Sequence, residues 1–564
     1  MVTAALALLL AAPAAGQDTP APDYDVVIRN GRVLDGAGNP WIRADVAIAG
    51  GRFVKVGRVE GRGAREIDAR GMYVSPGWID MMDQSGATLL RNPLAENKLR
   101  MGVTTAIGGE GGTPSLPQGP DGGRRGATTA SIPDYFRALE DSAISINFGT
   151  YYSETQARTA VMGNVARAPT AEELVRMRAA MDSAMRAGVL GMTTALIYPP
   201  SSYAGTDELA EVAKAMAPWG GIYASHIRGE GRELVEAVGE AIAIGERAGV
   251  PVEIFHFKAA YQPGWGTLIR EAIDTVNAAR ARGVDVAADL YPYTAGGTGL
   301  EATIPSWAFE GGIDSLRARL ADPPTRARLR EQVETGVEGW WNIVEASGGW
   351  QNVVLVNARG SEYARFEGRS LADIAEALDR NPVDTAWEIA LAGEGRVMAI
   401  YHMMSEDDIV TALGQPWVSI GSDAGAAIEP GKPDILGLPH PRAYGTHPRV
   451  LKRFVKELGA LSLPEAIRRM TSWPATRMRL ADRGVIREGL WADVVVFDLE
   501  AMDDRATYDE PTLFPTGIEV VLVNGVVTVE GGRHTGARAG RVLYGPGWEG
   551  RARAGTSSPG ADAR

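Results

Sequence analysis

Four times in the middle of the chain, an amphipathic helical stretch runs into a short, almost wholly apolar segment. TAEELVRMRAAMDSAMRAG (170–188) leads into VLGMTTALI, TDELAEVAKAMAPWG into GIYASHI, RELVEAVGEAIAIGERAG into VPVEIFHFK, and LIREAIDTVNAARARG into VDVAADLYPY. Each helical stretch ends at a glycine, the residue that most easily takes the left-handed conformation used at helix C-termini. Strands that are apolar on both faces belong to a parallel sheet covered by helices. Successive units of this kind predict an α/β fold, a (β/α)8 TIM barrel, spanning about residues 76–479. Helical text at 306–395, broken by Pro323-Pro324, reads as an insertion between late barrel strands that covers the site.

The two ends of the chain follow a different pattern. DYDVVIRNGRVLDG alternates and then turns at Asn30-Gly31, and ADVAIAGGRFVKVG turns at a Gly-Gly pair. ADVVVFDLE (492–500) and IEVVLVNGVVTVEGGR (518–533), with Asn524-Gly525 as its turn, show the same period of two near the C-terminus. Residues 23–75 and 480–547 are therefore expected to pair into one small β-sandwich domain, which the barrel interrupts. The Gly/Ala/Ser/Arg tail at 550–564 has the composition of a disordered segment.

Composition excludes several function classes. The formal net charge is -13 and the sequence pI about 5.2, with no basic stripe, so nucleic acid is not an expected partner. An anionic substrate would need cations local to its pocket. The chain has no cysteine, which removes disulfides, iron–sulfur clusters and thiol nucleophiles. Residues 2–15, VTAALALLLAAPAA, read as the apolar core of a signal peptide over 1–16, predicting export to the periplasm or medium. No other segment is an uninterrupted 18-residue apolar run, so no membrane span is expected.

The chemistry gathers where a barrel would place it. His226, His256, Asp289 with Tyr291, and Asp423 each close an apolar run, and the C-terminal ends of barrel strands carry active sites. A single histidine is more often a core residue satisfied by backbone; repetition at strand ends favours a metal site built from two of the six histidines.

SHIRGEG (225–231), HFKAAY (256–261), DLYPYTAGGTGL (289–300), IGSDAG (420–425) and HPRAYGTHPRVL (440–451) closely resemble the N-acyl-D-amino-acid deacylase (D-aminoacylase) branch of the amidohydrolase superfamily. So do SPGWIDM near residue 80, LRMGVTT at 99–105 and the closing ADRGVIREGLWADVVVFD. The resemblance implies a barrel with an appended β-sandwich and a metal at the barrel mouth that activates water. It implies His226 and His256 as metal ligands and Asp423 as the carboxylate that takes the water's proton and passes it to the leaving amine. It also implies Lys258, Arg442 and one of Tyr291 or Tyr293 as groups that bind a substrate carboxylate.

Two departures from the family pattern matter. Where the superfamily carries His-x-His after the first strand, this chain has PGWIDMMDQS, with Met82 and Gln84 in the histidine positions. A thioether and an amide are poor zinc ligands, so one divalent metal, zinc, is expected rather than two. Alternation aims Asp83 away from the face of Met82 and Gln84. The family's cysteine turn is replaced by GGEGG (108–112), and Glu110 is expected to reach the same metal, completing a Glu/His/His set. His402 or Tyr203 would steady the oxyanion, His440 and His447 would shape the pocket around Arg442, and His534 would lie at the surface. The expected reaction is hydrolysis of an amide in an N-acyl amino acid or a related small molecule that carries a carboxylate. A peptidase, xenobiotic amidase or acyl transferase on the same scaffold is the alternative, and a non-catalytic binding protein the third reading.

Overall fold

Eight short parallel strands form the centre of the molecule: β1 Trp78–Asp83, β2 Val103–Gly108, β3 Asn147–Thr150 (continued by Tyr152–Ser153), β4 Gly191–Ala195, β5 Ile222–His226, β6 Val252–Ile254, β7 Val286–Leu290 and β8 Val418–Ile420. Neighbours pair in chain order from β1 to β8. The ring closes just beyond β8, where Asp83 bridges Ala424 in parallel and the Asp423 N–H donates to the Met82 carbonyl at 2.9 Å. This computed structural model describes residues 21–113, 131–358, 361–393, 397–426 and 439–550. The leader expected at 1–16, most of the loop at 113–132 and all but the first residue of the 550–564 tail lie outside them. Among the described residues no helix is long and apolar enough to cross a membrane.

Side chains on the strands alternate between two apolar layers. On β5, Ile222 and Ala224 point into the barrel with Ile79, Met81 and Phe255, while Tyr223 joins the layer beneath the helices. Helix Leu234–Ala248 buries Leu234, Ala237, Val238, Ala241, Ile242 and Gly245 on that layer, the spacing of one helical face. Gly245 is required there, since a Cβ would meet Val252 Cγ2 at 2.1 Å. The helix stops at Gly249, whose φ of 70° is the left-handed value expected from its sequence position.

Both chain ends contribute to one nine-stranded sheet, joined where Tyr73–Pro76 runs antiparallel to Val494–Phe497. One face encloses a shared core of Val26, Ile28, Val46, Ile48, Val494, Val496 and Leu522. The other turns Val495 and Phe497 toward the barrel, where Phe497 meets Trp78 edge-on at 5.9 Å. The Gly50-Gly51 and Asn524-Gly525 pairs make tight hairpins, with φ between 48° and 83°. Asn30-Gly31 does not turn the chain. Tyr24–Val33 is one strand with a register shift between Ile28 and Gly31, so the left-handed Asn30 (φ 64°) makes a bulge and Gly31 packs against Val74. Residues near 541–545 leave this sheet and pair with β3, through Phe148 N–H to Arg541 O at 2.9 Å.

Between β7 and β8 lies a three-stranded antiparallel sheet, Ala295–Gly299, Met398–His402 and Val353–Asn357, with its own apolar core. Its framing strands fall just outside the helical text at 306–395, and Gly-rich Ala295–Gly299 carries little apolar signal. Pro323 starts a helix (Pro323–Thr335) capped by Asp322, as proline favours the first helical turn.

A fully buried ion cluster locks the β8–β1 seam. Lys98 Nζ lies 2.9 Å from Asp80 Oδ2 and 2.7 Å from Asp83 Oδ2, and donates to Ser422 Oγ and the Ala424 carbonyl. Burial alone would strip its proton, but the two carboxylates outweigh that and raise its pKa above the usual lysine value. The irregular register of β1 between Asp80 and Asp83 brings both acids to one ammonium, overriding strict alternation. Replacing Lys98 with Met should cost about 3–5 kcal/mol of stability by stranding two buried carboxylates. The check is the shift in denaturation midpoint at unchanged slope; a loss below about 1 kcal/mol would remove the cluster's structural role.

Candidate active site

The polar residues singled out at strand ends converge over the mouth of the barrel, but not all of them share one site. Glu110 follows β2, His226 ends β5 and His256 follows β6, and one ligand atom from each lies within 4.8 Å of the other two. Glu110 Oε1 is 2.9 Å from His226 Nδ1 and 3.4 Å from His256 Nε2, and the imidazole centroids are 4.4 Å apart, nearly perpendicular. Gly109 and Gly111, with φ of 111° and 62°, give the turn the left-handed conformations that lift Glu110 over the barrel.

His256 is held in a strained backbone conformation (φ 36°) by its own N–H, which donates to Asp289 Oδ1 at 2.9 Å. Asp289 lies beneath it; burial and Glu253 push its carboxyl well above the usual range. This carboxyl therefore supports a ligand from below rather than facing the mouth.

Glu230, which the sequence reading passed over, organises the far side of His256. Its Oε1 is 2.8 Å from His256 Nδ1 and accepts from Lys258 Nζ, while Lys258 Nζ is 2.9 Å from the same ring nitrogen. Despite full burial, Lys258 and the two histidines hold the Glu230 carboxyl well below the usual range. An ionised Glu230 against Nδ1 fixes the ring so that Nε2 faces Glu110 and His226. Its position within SHIRGEG, four residues after His226, was the available signal.

These residues fit a divalent cation. The donor set is one carboxylate and two imidazoles, a set zinc accepts with a position left open. His226 Nε2 is buried without a hydrogen-bond partner. The local field also favours positive charge. Burial and Lys258 oppose protonation of His256, yet Glu230 and Glu110 bring its pKa up to about 10, and the two histidines hold Glu110 well below the usual carboxylate range against burial.

Asp423 stands beyond β8, also left-handed (φ 50°). Its Oδ2 pairs with Arg442 Nη1 at 2.7 Å and its Oδ1 accepts from Gln84 Nε2 at 3.3 Å. Gln84 Nε2 also donates to Glu110 Oε2. Met82 is buried against the barrel interior, while Asp80 and Asp83 are committed to Lys98.

Arg442 and Lys258 flank one tyrosine, with the guanidinium carbon 4.7 Å and the ammonium 5.5 Å from the Tyr291 ring centroid. Tyr293 turns away, its hydroxyl donating to the Pro441 carbonyl at 3.4 Å and its ring carrying Arg449. Neutral His440 bridges the Ala295 carbonyl and the Arg442 N–H, and thereby seats Arg442. His447 is buried against Trp78, and His534 is partly exposed on the β-module.

Neither residue expected to steady an oxyanion contacts the Glu/His/His group. Tyr203 donates to the Ser306 carbonyl at 3.1 Å, and the His402 ring packs on Tyr508 at 5.0 Å. Tyr198 instead meets His226 edge-on at 5.5 Å, its hydroxyl 2.6 Å from Thr298 Oγ1. Burial and Glu110 push that hydroxyl well above its usual pKa, keeping it protonated.

The amidohydrolase family profile matches residues 411–529. D-aminoacylase of Alcaligenes xylosoxydans xylosoxydans is 32% identical over 537 residues, 92% of this chain and 97% of the relative. The structure of N-acyl-D-glutamate deacylase from Bordetella bronchiseptica, complexed with zinc and a phosphonate inhibitor that mimics the reaction's tetrahedral intermediate, superposes with a TM-score of 0.78 at 30% identity, covering 92% of this chain and 99% of that one. A D-aminoacylase structure, addressing one-metal activation and second-metal attenuation in a binuclear centre, superposes with a TM-score of 0.77 at 32% identity, covering 92% and 100%.

Replacing Glu230 with Gln should weaken divalent-cation affinity about 10–100-fold by releasing His256. Zinc competition against a chelator measures it; unchanged affinity would show that Glu230 does not act through His256.

Proposed function

The chain belongs to the N-acyl-D-amino-acid deacylase branch of the amidohydrolases, and on that premise we propose that it hydrolyses the amide of N-acyl-D-amino acids using one zinc ion held by Glu110, His226 and His256. The convergence of those three residues at the barrel mouth carries the reading. Met82 and Gln84, poor zinc ligands in the positions of the superfamily's paired histidines, favour one ion over two. When bound, the ion supplies Lewis acidity, lowering the pKa of a water and polarising the scissile carbonyl.

The remaining work falls to the chain itself. Asp423 accepts the proton of the attacking water and returns it to the departing nitrogen. Its two oxygens are held apart by Gln84 on one side and Arg442 on the other, so the carboxylate is oriented before substrate arrives. The Tyr198 hydroxyl is a protonated donor available to a developing oxyanion. Lys258 and Arg442, converging on Tyr291, receive the substrate's carboxylate, and Arg442 Nε is buried without a partner. Lys258 is tied to Glu230 and Arg442 to Asp423, so Arg442 Nε is the donor of that clamp left without a protein partner.

A screen of N-acyl-D- and N-acyl-L-amino acids and neutral amides, with metal measured on the same sample, tests the reading. Turnover of N-acyl-D-amino acids with about one zinc per chain is expected; active protein without metal would refute it. Asp423→Asn should lower kcat by about 10²–10⁴-fold with zinc retained, and near-normal turnover would remove Asp423 from proton transfer. Arg442→Ala should raise KM for acylated amino acids far more than for neutral amides; an equal rise would leave the carboxylate clamp without support.

A further inference from the structure

Gln84 has a role that its poor quality as a ligand conceals. Its Nε2 faces three groups, Glu110 Oε2, Asp423 Oδ1 at 3.3 Å and the Met82 sulfur at 4.0 Å. A primary amide has two N–H hydrogens, and here each has a carboxylate to meet. The opposite amide orientation would set a carbonyl oxygen against two carboxylate oxygens, so the surroundings fix Nε2 as the inward atom.

The two carboxylates are otherwise fully engaged. Glu110 turns Oε1 toward His226 and His256 and leaves Oε2 for Gln84. Asp423 gives Oδ2 to Arg442 and leaves Oδ1 for Gln84. Both spare oxygens come within reach of one nitrogen at the barrel mouth, and two carboxylates brought that near need either a cation or a shared donor between them. The amide is that donor.

We propose that Gln84 is a positioning residue standing where a second cation would otherwise bridge Glu110 and Asp423. It ties the proton carrier to the metal-binding carboxylate, sets the direction of Asp423 Oδ1 and keeps a second ion out. This rests on the mononuclear amide-hydrolase reading above. Without the tether, Asp423 has only Arg442 to orient it and is drawn toward the guanidinium. The chemical step then suffers, while the substrate clamp and the Glu110/His226/His256 set stay intact.

The test uses purified zinc-loaded enzyme and an N-acyl-D-amino acid turned over by the wild type. Gln84 is exposed, so its replacement spares the core. Gln84→Leu, which cannot donate, should lower kcat about 10–100-fold, leave KM within about threefold and retain one zinc with an unchanged melting temperature. Gln84→Glu, which turns the donor into a third carboxylate, should bind a second zinc in a metal titration followed by elemental analysis. Unchanged kcat in the leucine variant overturns the tether. Loss of zinc from that variant also overturns it, because Gln84 would then serve metal retention. A glutamate variant that stays at one zinc overturns the cation-substitute role. Failure of the parent reading looks different, since the wild type itself would lack zinc or turnover.

Discussion

The Lys98 ammonium sits at the seam where a parallel barrel must join its last strand to its first, and it touches both sides. Asp80 and Asp83 come from β1, while Ser422 and the Ala424 carbonyl lie beyond β8. Ser422 and Ala424 flank Asp423. The cluster therefore fixes the residues on either side of the one that must hold a left-handed conformation, a strain that survives only when surrounding contacts over-determine it. Two carboxylates on one ammonium leave net negative charge in a dry interior, balanced by donors such as Ser422 N–H to Asp80 Oδ1 at 2.7 Å and Ser85 N–H to Asp83 Oδ1 at 2.6 Å. A cluster so costly to leave half-paired makes barrel closure and the placing of Asp423 a single event.

Above the seam, the mouth is an arrangement of acids each assigned to a different partner. Glu230 is committed to His256 and Lys258, Asp423 to Arg442 and Gln84, and Glu110 to the histidines and Gln84. That division explains how three carboxylates coexist at one barrel mouth in a protein already carrying -13. It also makes the two cations neighbours of one Tyr291 ring rather than a diffuse positive patch, so an anion gains attraction only at close range.

Much of this was legible in the sequence where chemistry follows from strand position. His226, His256 and Asp423 were singled out because barrel strands expose their C-terminal ends, and Glu110 because GGEGG stands where the resembling family carries its cysteine turn. The chain ends were legible as one β-module because alternation and Asn-Gly or Gly-Gly turns are local signals. Irregular backbone hid the rest. The register shift in β1 brings Asp80 and Asp83 to the same lysine, which period-two reasoning forbids. At Asn30-Gly31 the same dipeptide chemistry that makes a hairpin elsewhere makes a bulge, since both accept left-handed φ. Glu230 and Tyr198 lie in loops after β5 and β4, where side-chain direction depends on tertiary contacts such as Thr298 from the strand Ala295–Gly299. Tyr293 could not be told from Tyr291 because the chain beyond β7 leaves strand geometry between them.

The first strand shows why Met82 and Gln84, side chains other than histidine, leave the barrel intact. The Met82 carbonyl accepts from Asp423 N–H at 2.9 Å, and Gln84 N–H donates to the Ala424 carbonyl at 3.3 Å. Both positions thus close the ring through backbone atoms that any residue supplies. Only the side-chain task is free to change. At 82 it becomes packing, a thioether buried with Ile79, Ile107 and Phe255, and at 84 it becomes donation to two carboxylates. Side chains at this corner of the mouth can therefore be exchanged without disturbing the seam, whereas exchange at Lys98, whose side chain itself is the seam, cannot be absorbed.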